Sequence, residues 1–125
     1  MNFKESQAIY LQIADYVCEQ ILSGRWKPGN RALSVRELGV ALEVNPNTVL
    51  RAYDFLQNMD IISNKRGVGY FISDQAESKI MEFRKERFFH EELPPIFKNM
   101  QLLRIELKEV EERYNKFKNH NSEQL

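Results

Sequence analysis

Two helix starts stand eleven residues apart in the middle of this chain. That spacing leaves room for one short helix, a tight turn and the opening of another. The first start is "SVRE". Ser34 is suited to accept from the free amides of an opening turn, and Glu37 sits three residues on, where its carboxylate reaches back. The second is "VNPN". Asn45 is a good N-cap there, and Pro46 suits the first helical position, whose N–H would be unpaired anyway. Between the two, Leu38, Ala41 and Leu42 read as the buried stripe of a helix ending near Glu43. Gly39 costs that helix about 1 kcal/mol relative to alanine, which points to tight packing at that position. Beyond the second start, Val49, Ala52, Tyr53 and Leu56 form the core stripe of a helix ending near Met59. Asn58 or Asp60 is suited to a left-handed cap.

An earlier helix is expected from about Ser6 to Ser23. Ile9, Ile13, Val17 and Ile21 recur every fourth residue, with Tyr10 and Leu22 beside them, as one buried face requires. Gly24 stops it. "WKPGNR" then supplies a turn, with Pro28 presetting one corner and Gly29 accepting positive φ at the next. After the third helix, "II" and "YFI" flank "NKRGVG", a hairpin with a basic, glycine-rich tip. Three helices followed by a two-stranded hairpin is the order of a winged helix-turn-helix. The fold class is mainly α with a small β-hairpin, and the winged domain takes residues 1–74.

After Asp74 the character changes, and residues 75–125 read as a C-terminal helical region. "QAESKIMEFRKERFFHEEL" places Ala76, Ile80, Phe83 and Phe88 at near-helical spacing, until Pro94 and Pro95 are expected to break the helix. A last helix is expected from about Pro95 to Lys118. Its apolar positions are Ile96, Met100, Leu103, Leu107, Val110, Tyr114 and Phe117, a sustained heptad seam. Two helices outside a small core cannot both be covered within one chain, and an exposed stripe of this length generally finds a partner. A second copy of the chain is the expected partner.

Catalysis finds no support in the residues. Only His90 and His120 are present, and no serine or cysteine has an evident base partner. His90, Glu91 and Glu92 are adjacent, so they point to different sides of a helix, and no metal-ligand spacing occurs. No metal, cofactor or enzymatic role is expected. Cys18, the single cysteine, falls among the apolar residues of the first helix and reads as a small buried hydrophobe. Its solitude fits a reducing cytoplasm. No apolar run approaches the roughly 20 residues that span a bilayer, and the polar N-terminus is no signal peptide. Net charge is zero, but Arg25 to Arg66 carries seven basic residues against four acidic ones, a local excess of three.

A recognition helix fares better as a reading of the residues. A helix-turn-helix sets the N-terminal part of its second helix against base edges in the major groove. Asn47, Thr48 and Arg51 lie off the core stripe, near the helix start. Asparagine bonds adenine in both directions, and arginine grips guanine or neutralises a phosphate. Arg36 falls in the first turn of the preceding helix, where such proteins touch the backbone, and Lys65 and Arg66 sit at the wing. The competing reading is an adaptor that binds protein through its winged helix.

The run from Ile9 to Ile72 resembles the DNA-binding domain of GntR-family bacterial transcription regulators. "IYLQI", "SGRWKPG", "SVREL", "NTVLRAY" and "RGVGYF" occur in the family's order. The "VNPNTV" form and the short helical C-terminal region resemble the YtrA subfamily, whose members are dimers and in many cases repressors in operons with ABC transporters. The resemblance implies a double-stranded DNA operator as partner. It adds contacts from Ser34 and Asn45 to those of Arg36, Asn47, Thr48 and Arg51. Gly67 and Gly69 would shape the wing beside Lys65 and Arg66. Where the family commonly has Leu-Pro-Ser, this chain has Ala32-Leu33-Ser34. Two helices leave little room for an effector pocket. An interface around Phe83, Phe88 and Phe89 is where a small apolar ligand would fit, and ordinary packing is the simpler reading of those rings.

Overall fold

The computed structural model describes residues 7–124, with side chains through residue 121. The chain forms two compact units, Met1–Phe83 and Arg84–Leu125. In the first, α1 (Ile9–Leu22), α2 (Val35–Leu42) and α3 (Pro46–Asn58) precede a hairpin of β1 (Ile62–Lys65) and β2 (Gly69–Ile72). Then α4 begins at Ala76 and runs to Arg87. Ser6, the expected first residue of α1, lies outside the described residues.

The predicted caps are present. Ser34 Oγ accepts from the Glu37 N–H at 3.0 Å, and Glu37 Oε1 accepts from the Ser34 N–H at 2.9 Å. Asn45 Oδ1 accepts from the Asn47 N–H at 2.8 Å, with Pro46 opening α3. Asp60 takes the left-handed conformation after α3. Ile13, Val17 and Ile21 of α1 meet Leu38 and Leu42 of α2, Val49, Ala52, Tyr53 and Leu56 of α3, and Ile62 and Ile72 of the hairpin in one core. Ala76 and Ile80 of α4 are buried in the same cluster.

The buried stripe of α2 differs from expectation. Ala41 is exposed and Gly39 is buried instead. A Cβ on Gly39 would stand 3.0 Å from the Val44 carbonyl oxygen and 3.5 Å from Pro46 Cγ. The lack of a side chain lets the turn into α3 close against α2 at that point, which rotates Ala41 outward. The turn itself runs through Glu43 in the left-handed conformation.

The hairpin pairs Ile62 with Ile72 and Lys65 with Gly69, antiparallel. Its free edge is not bare. The Ala32 N–H donates to the Tyr70 carbonyl at 2.8 Å, the Ile72 N–H to Asn30 at 2.9 Å and the Gly29 N–H to Ile72 at 2.8 Å. Residues 29–32 thus line β2 like a third strand and cover an edge that would otherwise invite pairing with another chain.

Two corrections fall in the second unit. Pro94 and Pro95 do not break the helical path. A π-helical turn, Phe88–Glu92, carries α4 into α5 (Leu93–Leu103). The Leu93 N–H donates to the Phe88 carbonyl five residues back. After this wider turn the prolines fall in the first turn of α5, where a proline's missing N–H is tolerated. The last helix, by contrast, is not continuous. It stops at Arg104, which is left-handed, and the Ile105 N–H closes on the Met100 carbonyl at 2.9 Å. A new helix, α6 (Leu107–Gln124), follows. The Glu106 N–H donates to Glu109 Oε2 at 3.1 Å, a local capping bond that starts it. The heptad spacing runs on through this break, so the seam is two separate stripes: Ile96, Met100 and Leu103 on α5, and Leu107, Val110, Tyr114 and Phe117 on α6.

Candidate nucleic-acid interface

The mouth of α3 opens into a cleft of about 380 Å³. Asn45, Asn47, Thr48 and Arg51 line one side, and Tyr10, from the first turn of α1, lines the other. Thr48 is half-buried, and its N–H donates to the Asn45 carbonyl at 2.9 Å. Asn47 and Arg51 are exposed. The Arg51 guanidinium lies over the Tyr10 ring, 4.0 Å from its centroid. Four sequence-predicted residues therefore converge, but they differ in what they have left to offer. The side-chain oxygen of Asn45 is committed to its own helix, whereas Asn47 carries a free-standing amide.

Behind this surface α3 is fastened to the lead-in of α2. Tyr53 donates its hydroxyl to the Leu33 carbonyl at 2.6 Å and meets Tyr70 edge-on, 4.8 Å between centroids. Burial pushes the Tyr53 phenol well above its ordinary range, with Tyr70 and Glu37 adding to the effect. Ala32, held by its bond to Tyr70, and Leu33, held by Tyr53, fix a segment that has no proline to stiffen it.

On α2, Ser34 is engaged in the capping box and Arg36 is exposed at the second helical position. The Ser34 N–H, with the Ser34 hydroxyl second, holds the Glu37 carboxyl below its ordinary value, a small desolvation opposing and Arg31 assisting. At the wing, Arg66 is exposed. Gly67 has φ +78° and Gly69 φ +136°, conformations that favour glycine. The Lys65 ammonium lies 4.2 Å from the Phe71 ring centroid, and the side chain lines a second cleft whose rim includes Asp60 and Asp74.

Two residues at these sites were not singled out by sequence reasoning. Tyr10 reads there as the flank of a buried helix face. Arg31 packs so closely on the wing that a Cβ on Gly69 would lie 2.9 Å from its Nε. No spacing announces either contact, because each joins segments about forty residues apart in the chain.

Residues 9–72 match the family described as bacterial regulatory proteins, gntR family. The chain belongs to the GntR family. It is 35% identical to the uncharacterized HTH-type transcriptional regulator YhcF of Bacillus subtilis (strain 168), over 87% of this chain and 88% of that one. It is 36% identical to the HTH-type transcriptional repressor YtrA of the same organism, over 87% of this chain and 83% of that one. A GntR-family structure from Bacteroides thetaiotaomicron superimposes with a TM-score of 0.80 at 43% identity, over 91% of this chain and 99% of that one. This GntR-family chain is accordingly a DNA-binding transcription regulator of the winged helix-turn-helix type and not an enzyme. The adaptor reading gives way to that membership. Among the described residues, no helix is long and apolar enough to cross a membrane.

Proposed function

We propose that this regulator is a dimeric, sequence-specific repressor of a nearby operon. Residues 1–74 of each copy read one half of a two-fold operator, and residues 75–125 join the copies. The observation that carries the reading is the mouth of α3, where Asn47, Thr48 and Arg51 face one open cleft. They are short polar and planar cationic groups of the kind that bond base edges. Arg36, Lys65 and Arg66 supply charge for the flanking phosphates. Ser34 and Asn45 act through the caps that present α2 and α3, and Gly67 and Gly69 through the shape of the wing. The repressor sense rests on the likeness to YtrA of Bacillus subtilis, which is named a repressor.

The test is selection of duplexes from a randomised pool, followed by anisotropy titration of the selected duplex against a scrambled one. A two-fold consensus with half-sites about 10 base pairs apart is expected, bound far more tightly than the scrambled sequence. Equal affinity for both would overturn the reading. Transcription from a promoter carrying the selected site should fall when the protein is added, and a rise would reverse the sign of regulation.

A further inference from the structure

An arginine at the start of a reading helix is ordinarily a long, mobile side chain. Arg51 has a resting place within the protein: its guanidinium lies over the ring of Tyr10. That ring is itself held. Phe55, one turn further along α3, meets Tyr10 edge-on, with centroids 6.3 Å apart and planes at 73°. Phe83 of α4 meets Phe55 in the same manner, 5.7 Å apart at 70°. Tyr10 and Phe55 are both half-buried against the core. The cation thus lies on the last of three rings that brace one another.

The chemistry of the pair suits a reader. A guanidinium placed on an aromatic face uses its π surface for that contact, and its in-plane N–H donors stay available for the edge of a base or a phosphate. Holding the side chain before DNA arrives removes part of the ordering cost that binding otherwise incurs. Tyr10 also lines the same cleft as Asn47 and Thr48, so the platform sits inside the reading surface.

We infer that Tyr10 is a positioning residue for sequence recognition: its ring holds Arg51 in the orientation that reads DNA. The inference rests on the reading above, in which Arg51 contacts the operator. The experiment measures affinity for the selected duplex and for a scrambled duplex at one salt concentration, with thermal unfolding of every variant alongside. Tyr10→Phe keeps the platform and should keep the ratio of the two affinities. Tyr10→Leu and Tyr10→Met remove it and should lower the ratio about two- to fivefold. In an Arg51→Ala background neither should lower it further. In the wild type without DNA, the Arg51 side-chain proton resonances should be shifted upfield by the ring current, a measurement that needs no variant to fold. Unshifted resonances, a Tyr10→Leu ratio equal to wild type, or a loss that persists undiminished beside Arg51→Ala would each overturn the inference. An unaltered ratio in Arg51→Ala itself would remove its foundation as well. Failure of the functional reading shows separately, as a wild type that selects no consensus.

Discussion

At the mouth of α3 two asparagines two residues apart do different work. The side-chain oxygen of Asn45 accepts from the Asn47 N–H at 2.8 Å, while the Asn47 side chain stands exposed. Truncating the first should be felt by the fold and truncating the second by the ligand. Asn45→Ala is expected to lower unfolding stability by about 1 kcal/mol. Asn47→Ala should leave stability within about 0.5 kcal/mol and weaken binding to the selected duplex by about 1–3 kcal/mol. Denaturant melts and anisotropy titrations on both variants check this, and equal loss of stability in the two would refute the division. The capping box of α2 gives a second residue-scale expectation. The folded-state pKa of Glu37 is depressed below its ordinary value of 4.5, chiefly by the Ser34 backbone N–H. A depressed carboxyl pKa contributes stability that is present above the unfolded value and is lost as pH falls through the folded one. Thermal midpoints followed from neutral pH into the acid range should therefore fall less steeply below pH 4.5 in Glu37→Gln than in wild type. Superimposable curves would show that the pair contributes nothing.

At the scale of elements, Gly39 sets how closely α2 approaches α3. A β-branched side chain there meets the Val44 backbone carbonyl and the Pro46 ring, neither of which can swing away as a flexible side chain would. Gly39→Val should destabilise the protein by about 1–3 kcal/mol despite removing a glycine from a helix. It should also weaken operator binding beyond what the stability loss explains, because α3 must shift. A variant as stable as wild type would mean the turn has slack. Gly39 was legible in the sequence as a site of close packing, as were the capping box, the Asn45–Pro46 start and the basic hairpin tip. Each of these signals is local: a cap or a turn is decided by residues within four positions of one another. Three features were not legible, for a shared reason. Ala41 faces outward because the α2–α3 turn fixes the rotation of α2. Residues 29–32 line up like a strand only because β2 offers them an edge. Pro94 and Pro95 stay within a helical path because the π-helical turn before them supplies a bond five residues long. The stop at Arg104 is different. The Glu106–Glu109 capping pair was present in the sequence as a start signal, but an unbroken heptad spacing masked it.

For the whole molecule, the question is what the second unit does with its apolar side chains. Leu102, Leu103 and Leu107 are 72%, 69% and 67% exposed, and Ile96, Tyr114 and Phe117 are exposed as well. Water-facing apolar area of this kind is removed when two copies associate, at about 25 cal/mol per Å² of apolar surface before the ordering costs of association. Because the seam is split at Arg104, the proposed dimer would have to cover two stripes that meet at that break, with Leu103 on one side of it and Leu107 on the other. Leu103→Asp with Leu107→Asp should therefore convert a dimer to a monomer in sedimentation at micromolar concentration. Neither residue lies in the core of the first unit, so its thermal transition should persist. Operator affinity should then fall steeply, since a monomer loses the second half-site that the linked copy engages at high effective concentration. Affinity for a single half-site should be little changed. A wild type already monomeric at that concentration would contradict the argument. So would a double variant that stays dimeric, because the copies would then meet through some other face and the exposed stripes of α5 and α6 would need another occupant.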